Sequence, residues 1–418
     1  MKTLVQTDTA GLLGGPPARE TFAEHGARLG QLPSLDNLID LLEEAGLRGR
    51  SGSGFPTYRK WKAVRDQHAR GAVVVVNGSE GEPLSRKDRA LFELRPHLVL
   101  DGAELAARTL GAREIIIAVN GTARRAITSV REAIVERNSA GDSRIAVSVL
   151  AVPDAYVSGE ESALVQLCNG NDALPILNPP YPFQRGVRGL PTLVNNAETI
   201  AMVALVARNG AAWYRELGHH GTPGLRLVTL LGAVADPGVY EVPVGLTLAE
   251  LAAEAGGLVE ECQAVLIGGF EGAWHAYGDG SLEVREVAGP TVAGIGCGTL
   301  VYVPESVCGL VEVDYLAEYL AGQSAQQCGP CVHGLQAVSQ KVEHIARGRA
   351  SEGDLQRLEL WESQLQSGRG ACHHPDGAIR VLRSGMKVFQ QEVHRHMRRG
   401  ACDRSERDAY LAVLQYQE

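Results

Sequence analysis

Hydrophobic runs alternate with amphipathic stretches over residues 61–221, and this pattern predicts the fold of the first half of the chain. Three runs rich in β-branched residues read as strands of a sheet interior: Val73–Val76, Ile115–Val119 and Ile145–Val152. Helical spacing of apolar positions is clearest in two segments: Ala103–Leu110 and Ala123–Glu136. Strands that alternate with helices in this way predict an α/β domain built on a parallel sheet.

The segment before this domain has a weaker pattern. Residues 1–20 show no periodicity and predict an irregular N-terminal arm. Leu35–Ala45 has helical spacing, with Ser34 as the expected N-cap and Gly46 as the expected stop.

The pattern changes twice after Gly221. Short strand-like runs follow first, and they predict a small α+β domain: Leu225–Leu231, Gly238–Val242, Val265–Ile267 and Leu300–Val303, with one helix at Leu248–Ala255. Helical spacing dominates after Pro304 and predicts a small bundle: Leu310–Leu320, Leu335–Ile345, Leu355–Gln366 and Ala378–Met397. The expected divisions are therefore an arm (1–20) and three domains (21–220, 221–304 and 305–418).

Length and composition agree with several globular domains. The 418 residues exceed one ordinary domain, and 44% hydrophobic content excludes a disordered chain. A net charge of −9 gives no basic footprint for nucleic acid. No apolar run has the length of a membrane span, and Met1–Gly15 lacks a signal-peptide core. We therefore expect a cytoplasmic protein, either free or docked to a membrane complex, whose eight cysteines are free thiols or metal ligands.

A glycine-rich segment, Gly46–Trp61, carries the first candidate chemistry. It contains Gly49, Gly52 and Gly54, with Arg50 between them and Lys60 following. Glycines let main-chain N–H groups turn toward a phosphate and let a flat ligand approach the backbone. An ordinary surface loop explains such a segment equally well.

Polar residues follow the predicted strands at places where parallel sheets bind ligands. Asn77–Pro83 comes directly after the valine run, and Tyr156–Ala163 follows Ile145–Val152. Further along, Pro179–Pro182 precedes the adjacent pair Asn195 and Asn196. Amide side chains offer donors and acceptors suited to a flavin edge or its tail. The alternatives are an acidic turn for the first segment and a helix cap for the asparagine pair.

Three cysteines in the helical region have the arrangement of metal ligands. Cys328 and Cys331 have C-x-x-C spacing, and Cys372 lies in a later inter-helix loop. Thiolates from two loops suit an iron–sulfur cluster, while zinc or a site that has lost its metal are the alternatives. The remaining cysteines lack ligand spacing and are expected to be structural or inert: Cys168, Cys262, Cys297, Cys308 and Cys402.

In order and spacing, the four polar segments resemble the flavin- and NADH-binding subunit of respiratory complex I. Subunits of NAD-linked hydrogenases and formate dehydrogenases are similar. The resemblance implies a Rossmann-like flavin domain, a small β-grasp (soluble-ligand-binding) domain and a C-terminal helical iron–sulfur-binding bundle. It also implies an NADH:acceptor oxidoreductase subunit that passes a hydride from NADH to FMN and single electrons to an iron–sulfur cluster or carrier. The implied partners are NADH and other electron-transfer subunits or a ferredoxin-like carrier.

The resemblance assigns roles to individual residues. Three carboxylates are implied to be catalytic: Glu80, Glu82 and Glu161. The implied cofactor-binding set is Gly49, Arg50, Gly52, Gly54, Phe55, Lys60, Asn77, Glu80, Tyr156, Gly159, Glu160, Glu161, Tyr181, Asn195 and Asn196. We expect Glu82 and Glu161 to line the nicotinamide side of the pocket, with Phe55 and Tyr181 toward the adenine. Cys328, Cys331 and Cys372 match three of the four cluster ligands of the family.

This sequence departs from the family pattern at both sites. Ala325 occupies the first cluster-ligand position, so the expected cluster is either 3Fe-4S or a 4Fe-4S cluster completed by His333, His373, another residue or solvent. In the nucleotide region, four positions lack the residue common in the family: Ser51, Ala63, Ser79 and Asn178. Two alternative functions follow. One is a degenerate flavin-binding electron-transfer or docking subunit without NADH oxidation, with or without the cluster; the other is a cofactor-free structural subunit.

Overall fold

The computed structural model describes residues 2–3, 11–67, 71–142, 145–289, 291–366, 368–406 and 408–415. Residues 1 and 4–10 of the expected arm lie outside this range. The first half of the chain forms helices around a parallel sheet. In chain order its elements are β1 (Lys2–Thr3), α1 (Phe22–Leu29), α2 (Leu38–Ala45), α3 (Thr57–Arg65), β2 (Ala72–Gly78), α4 (Lys87–Leu94), α5 (Pro96–Leu110), β3 (Ala112–Asn120), α6 (Arg124–Ser139), β4 (Ala146–Val152), α7 (Glu161–Cys168), β5 (Thr192–Asn196) and α8 (Ala197–Glu216).

The sheet of this region has the order β4-β3-β2-β5, and every pair is parallel. Its central strand β2 is buried along the valine run, as the sequence predicts. The two outer strands differ, because β4 is half exposed while β5 is buried along its whole length, so the expected burial on both faces fails only for β4. Helices α5 and α8 pack together, and a side chain at Gly102 would lie 1.8 Å from the Ile200 carbonyl oxygen. The parallel α/β sheet expected from the alternation is confirmed.

A mixed sheet follows. Its elements are β6 (Leu225–Gly232), β7 (Gly238–Pro243), α9 (Leu248–Glu254), β8 (Cys262–Ile267), β9 (Ala273–Ala276), β10 (Glu283–Arg285), β11 (Val292–Gly294) and β12 (Thr299–Pro304). The strand order is β1-β7-β6-β12-β8-β9, with β10 and β11 pairing separately.

The N-terminal arm is less irregular than the sequence predicts. Strand β1 pairs in parallel with β7, and the N–H groups of Leu12 and Leu13 donate to the carboxylate of Glu241 at 2.6 and 3.0 Å. The arm therefore joins the mixed sheet. The sequence does not predict this because a two-residue strand is too short to show a periodicity.

The C-terminal region is helical, as expected. Its helices are α10 (Gly309–Gly322), α11 (Gln336–Ala346), α12 (Glu352–Leu365), α13 (His374–Val388), α14 (Gln390–Arg399) and α15 (Tyr410–Gln415). The single helix expected over Ala378–Met397 is two helices. The chain turns at Phe389, whose buried ring packs edge-on against Trp274 and would collide with a side chain at Gly309.

The ends of α2 illustrate how far local sequence signals reach. Gly46 adopts the left-handed conformation expected of a C-cap, with φ of 70°. The helix begins at Leu38 after Asn37, so the expected N-cap at Ser34 is wrong. Leu35 fits the hydrophobic period but precedes the helix. Among the helices of the described residues, none combines the length and the hydropathy required to cross a membrane.

Candidate functional site

The carboxyl ends of β2 and β5 lie side by side and bring the polar segments together. Asn77 is the Cα partner of Asn196, and Val76 is the partner of Asn195. The side-chain nitrogen of Asn77 donates to the Gly159 carbonyl oxygen at 2.8 Å, while its oxygen accepts from the Ser79 hydroxyl at 2.7 Å. Three of the polar segments predicted from sequence therefore meet at one edge of the sheet.

The two asparagines have different roles. Asn196 caps α8 by accepting from the Glu198 N–H at 3.1 Å, so the helix-cap interpretation is confirmed for this residue. Asn195 is only 7% exposed, and its oxygen accepts from the Trp61 indole at 2.9 Å. No acceptor among the described residues bonds the amide nitrogen of Asn195. This amide nitrogen is available to a ligand oxygen or a flavin-ring acceptor.

Lys60 connects α3 to the same edge. Its ammonium group donates to the Val194 carbonyl oxygen at 3.0 Å and lies 3.1 Å from Glu161 Oε2. The side chains of Lys60 and Glu161 are 27% and 34% exposed to solvent. Lys60 and Glu161 are thus joined, as expected if both border one pocket.

The glycine-rich loop is held by its own backbone. Gly49 N–H donates to the Phe55 carbonyl oxygen at 2.8 Å, and Arg48 donates to that of Gly54 at 2.9 Å. Gly52 and Gly54 have φ of 118° and 59°, a region that side chains rarely occupy. Between these anchors Ser51, Gly52 and Ser53 are exposed, so this part of the loop is accessible to a ligand.

Arg50 does not face the exposed part of this loop. Its side chain is fully buried and donates to the Tyr214 hydroxyl and the Leu225 carbonyl oxygen, both at 2.8 Å, and to Glu286. Its guanidinium therefore ties the parallel-sheet region to the mixed sheet. Its main-chain N–H donates to the Thr199 hydroxyl at 2.9 Å, so both its guanidinium and its N–H group are bonded within the protein.

A buried ion cluster lies beneath the asparagine pair, and sequence reasoning did not identify it. Lys87 Nζ lies 2.9 Å from Asp88 Oδ1, 3.0 Å from Glu198 Oε2 and 3.2 Å from Asn196 Oδ1. Burial lowers the pKa of Lys87, but the carboxylates of Asp88 and Glu198 raise it above its ordinary value. The ammonium group therefore stays charged and fixes the orientation of Asn196.

Two of the carboxylates predicted to serve the cofactor are helix caps. Glu80 accepts from the N–H groups of Asp88 and Arg89 at 2.9 and 3.1 Å, in the first turn of α4. Glu160 is the N-cap of α7 and accepts from Ser162 and Ala163 at 2.8 and 3.0 Å. Such bonds hold loops in place. The structure thus gives both residues a positioning role.

Glu82 has the most perturbed carboxyl group of the predicted catalytic residues. Burial raises its pKa to about 8, although N–H groups of Phe270 and Leu84 partly offset this. Glu82 Oε2 accepts from Phe270 N–H at 2.7 Å and lies 3.5 Å from the Tyr156 hydroxyl. A carboxyl group that holds its proton near neutral pH is suited to proton transfer.

The loop Tyr156–Glu160 extends from this site to the cysteines. Its far side faces the helical region, where the Tyr156 ring lies 5.6 Å from His374 and 6.2 Å from Tyr319. The Tyr156 N–H donates to Gln323 Oε1 at 3.3 Å, just before the cysteine loop.

The three predicted cluster ligands lie in the same part of the helical region. The Cys331 N–H donates to the Cys328 carbonyl oxygen at 3.1 Å, and Cys372 is close enough for its charge to raise the pKa of Cys331. Burial raises the pKa of Cys331 to about 12 and that of Cys372 to about 11, with neighbouring charges adding to both. Burial also acts on Cys328, but N–H donation from Ala371 and Cys331 lowers its pKa overall. N–H groups directed at cysteine sulfurs are typical of iron–sulfur sites.

The donor set fits three corners of a cluster. Ala325 lies partly exposed in the same loop and has no ligand atom. The candidate substitutes His333 and His373 are exposed, and the His373 side chain is 99% exposed. Cys328, Cys331 and Cys372 are therefore the residues that would hold an iron–sulfur cluster at three positions, with the fourth position left to another donor.

The aromatic residues predicted for the nucleotide are exposed. Phe55 is 49% and Tyr181 48% exposed, and the Tyr181 ring stacks on Phe183 at 5.7 Å. Asn178, at the position of the family's lysine, has a buried side-chain oxygen without a hydrogen-bond partner among the described residues. The region offers flat surfaces and one unpartnered acceptor but lacks the family's cation.

Sequence reasoning missed a second group of possible metal ligands. Cys308 and Cys402, expected to be inert, meet His396 with their ligand atoms within 4.8 Å of one another. Cys308 is separated from the other two residues by most of the helical region, so no sequence spacing links all three. The only local signal among them was the His-x5-Cys pair at His396 and Cys402.

Family models match three parts of the chain. The Nuo51 FMN-binding domain matches residues 42–205, the SLBB domain residues 227–268, and the NADH-ubiquinone oxidoreductase-F iron–sulfur binding region residues 312–396. The chain is 33% identical over 382 residues to an F-type NADH-quinone oxidoreductase subunit of Rhizobium meliloti, covering 88% of this chain and 90% of the relative. It is 31% identical to the corresponding F-type subunit of Aquifex aeolicus, covering 88% of each chain.

Solved structures show the same similarity. A chain of an NAD+-reducing [NiFe]-hydrogenase in the H2-reduced state superposes with a TM-score of 0.78 at 31% identity. The match covers 86% of this chain and spans 62% of the hydrogenase chain. The air-oxidized state gives a TM-score of 0.79 at 30% identity, with coverage of 92% and 68%. The chain therefore belongs to the family of F-type NADH-quinone oxidoreductase subunits, the NADH dehydrogenase-type flavoprotein oxidoreductases with an FMN-binding domain and an iron–sulfur binding region.

Proposed function

We propose that this chain transfers a hydride from NADH to FMN at the carboxyl edge of β2 and β5, and delivers single electrons toward Cys328, Cys331 and Cys372. The observation that carries the proposal is the position of the loop Tyr156–Glu160. On one side its Gly159 carbonyl oxygen is bonded to Asn77, and on the other side Glu160 raises the pKa of Cys372. One short segment thus borders both predicted cofactor sites.

The residues of the flavin site divide into binding and positioning groups. Gly52 and Gly54 give the loop the backbone conformation in which main-chain N–H groups can bind the phosphate, while the Gly49 N–H holds the loop through its bond to Phe55. Asn195 offers its unpartnered amide nitrogen to the flavin, and Lys60 supplies positive charge beside it. Bound FMN supplies the conversion from two-electron to one-electron chemistry.

The nicotinamide side is formed by carboxylates. Glu161 is held by Lys60, which sets its position relative to the pocket. Glu82 is mostly protonated at neutral pH and holds a proton close to the Tyr156 hydroxyl. Phe55 and Tyr181 offer exposed rings to the adenine, and each such stacking contact contributes about 0.5–1.5 kcal/mol.

At the cluster site, the protein orients thiols and excludes water. Cys331 is 2% exposed, and the N–H groups of Ala371 and His374 are directed at the sulfurs of Cys328 and Cys372. Such donors stabilise thiolate charge and raise the potential of a bound cluster. Because Ala325 has no ligand atom, a donor other than a cysteine fills the fourth ligand position.

The organisation around this chemistry is part of the proposal. The proposed divisions of the chain are an N-terminal arm at 1–20 and three domains at 21–220, 221–304 and 305–418. The partners are other electron-transfer subunits or a ferredoxin-like carrier, and the location is cytoplasmic, either free or on a membrane complex.

A cofactor inventory tests this function. Protein purified without oxygen is assayed for FMN, iron and sulfide per chain. FMN together with iron and sulfide is the expected result. FMN without iron favours the second candidate, a flavin-binding docking subunit, which Ala325 and Asn178 support by removing one cluster ligand and one nucleotide-binding cation. Absence of both groups contradicts the proposal.

A further inference from the structure

A second cysteine group lies in the helical region and contributes to neither proposed cofactor site. Cys308 stands directly before α10, His396 lies in α14, and Cys402 follows that helix. Cys308 Sγ lies 3.7 Å from His396 Nε2, and the ligand atoms of Cys308, His396 and Cys402 all lie within 4.8 Å of one another. Cys308 and His396 have no solvent exposure. Three soft donors therefore face one buried point.

The tautomer of His396 is fixed by its other nitrogen. Nδ1 lies 2.7 Å from the Ala346 carbonyl oxygen, which only accepts, so Nδ1 carries the proton. Nε2 is therefore the unprotonated nitrogen, and the Cys402 N–H donates to it at 3.4 Å. A histidine anchored through Nδ1 to a carbonyl, with Nε2 directed inward, is the usual arrangement around a protein-bound metal.

The spacing agrees with a tetrahedral ion. Zinc–sulfur and zinc–nitrogen bonds of about 2.3 and 2.0–2.1 Å place the two donor atoms about 3.6 Å apart on a tetrahedron. The distance between Cys308 Sγ and His396 Nε2 is 3.7 Å without any ion. Few rearrangements are therefore needed to accept one.

Glu392 lies beside this group, although its carboxylate is not within 4.8 Å of all three donor atoms. Its Oε2 lies 3.9 Å from Cys308 Sγ and accepts from the Leu310 N–H at 3.2 Å. Its Oε1 is bound by Arg404, which holds the carboxylate in place. The positive charge of Arg404 balances the negative charge of Glu392. The two thiolates of Cys308 and Cys402 are then left to neutralise a divalent cation. A surface cavity lined by Cys308 and Arg404 gives access to the group.

We propose that Cys308, His396 and Cys402 bind a zinc ion, with Glu392 Oε2 as the fourth ligand. Two thiolates, an imidazole and a carboxylate form a donor set that zinc prefers. Three of these donors already lie within 4.8 Å of one another, and a movement of the Glu392 side chain toward them fills the fourth position. The site joins the start of α10 to the segment after α14, two parts of the chain that are distant in sequence.

Metal analysis of the intact protein tests the proposal. Protein purified with reductant and supplied with zinc is dialysed, and its zinc and iron are measured by mass spectrometry. We expect about one zinc per chain in the wild type, loss of that zinc in Cys402→Ser, and retention in the matched control Cys168→Ser. Iron content serves as the folding control, since Cys402→Ser leaves the predicted cluster ligands intact. Equal zinc in Cys402→Ser and wild type overturns the proposal, and so does a Cys308–Cys402 disulfide in protein kept anaerobic.

A second measurement avoids substitution within the site. In Cys328→Ser protein, where the predicted iron–sulfur site is disabled, cobalt(II) replaces zinc and is followed by absorbance. Thiolate-to-cobalt charge-transfer bands together with intense tetrahedral d–d bands are the expected result, and equimolar zinc removes them. Octahedral, weakly absorbing cobalt refutes the site even if Cys402→Ser fails to fold.

Discussion

Asn77 and Gly159 are joined by a 2.8 Å hydrogen bond, from the side-chain nitrogen of Asn77 to the main-chain carbonyl oxygen of Gly159. This bond links the end of β2 to the loop that borders the cysteine site. A side chain at Gly159 would come within 2.3 Å of the Ser79 hydroxyl, which Asn77 also binds. Glycine at this position is therefore required for the two segments to approach.

Replacement of Asn77 by alanine tests the role of this bond. The variant Asn77→Ala leaves the Gly159 carbonyl unpaired and loosens the flavin side of the loop. A loss of about 1–1.5 kcal/mol, the usual value for one hydrogen bond, weakens FMN binding about five- to tenfold. Fluorescence titration of the apoprotein with FMN measures the effect. Asn209→Ala, which removes an intrahelical bond to the Leu205 carbonyl, is the control and should keep wild-type affinity. Equal affinities in both variants would contradict the assignment.

Glu82 predicts a specific pH dependence of stability. Burial raises its pKa from 4.5 to about 8, so the folded protein binds one more proton than the unfolded chain between these values. The contribution of Glu82 to stability is therefore full below pH 4.5 and is lost as pH rises to 8. Glu82→Gln should show a smaller fall in Tm than wild type across this range. Glu132→Gln, at a side chain that is 57% exposed, should follow the wild-type curve. Parallel curves for Glu82→Gln and wild type would refute the raised pKa.

The missing fourth ligand predicts a gain of function. Ala325→Cys places a thiol at the position where the loop lacks one, and the iron content and the signal of the reduced cluster in electron paramagnetic resonance should rise. Gln327→Cys adds an exposed thiol two residues away and is the matched control, which should leave iron unchanged. If both variants have the same iron content as the wild type, the side chain at position 325 does not face the cluster.

Stacking on the nucleotide is tested separately from flavin binding. Phe55→Ala and Tyr181→Ala remove half-exposed rings, and each should raise the KM for NADH about two- to tenfold, by the usual value of an aromatic contact. FMN content and kcat should be unchanged. Leu177→Ala, at a 71% exposed side chain in the same segment as Tyr181, is the control. An unchanged KM in both aromatic variants would place the adenine elsewhere.

Much of the fold follows from periodicity. The valine run of β2 and the isoleucine run of β3 are buried strands because their apolar residues are continuous, and both were predicted to within a few residues. Strand β5 was missed, since Thr192–Asn196 is short and half polar. Its identity as a strand depends on pairing with β2, which no local signal reveals.

The site was predictable where chemistry is local and not where it depends on distant partners. Asn77 and Asn195 lie at the carboxyl ends of neighbouring strands, as their positions after or within apolar runs predict. Arg50 looked like a ligand-binding residue because of its glycine neighbours, but Glu286, 236 residues away, determines where its side chain lies. Cys308 looked inert because spacing rules detect only nearby ligands. Its partner His396 is 88 residues away.

Anaerobic titration with NADH tests the central claim most directly. The purified protein is followed by flavin absorbance while NADH is added, and dithionite is added at the end. We expect NADH to bleach the flavin band and to yield the paramagnetic signal of a reduced cluster, with about 1.5 equivalents per FMN needed for both because FMN takes two electrons and the cluster takes one. A flavin that dithionite reduces while NADH leaves it oxidised would contradict the account and identify the chain as a flavin-binding subunit without NADH oxidation.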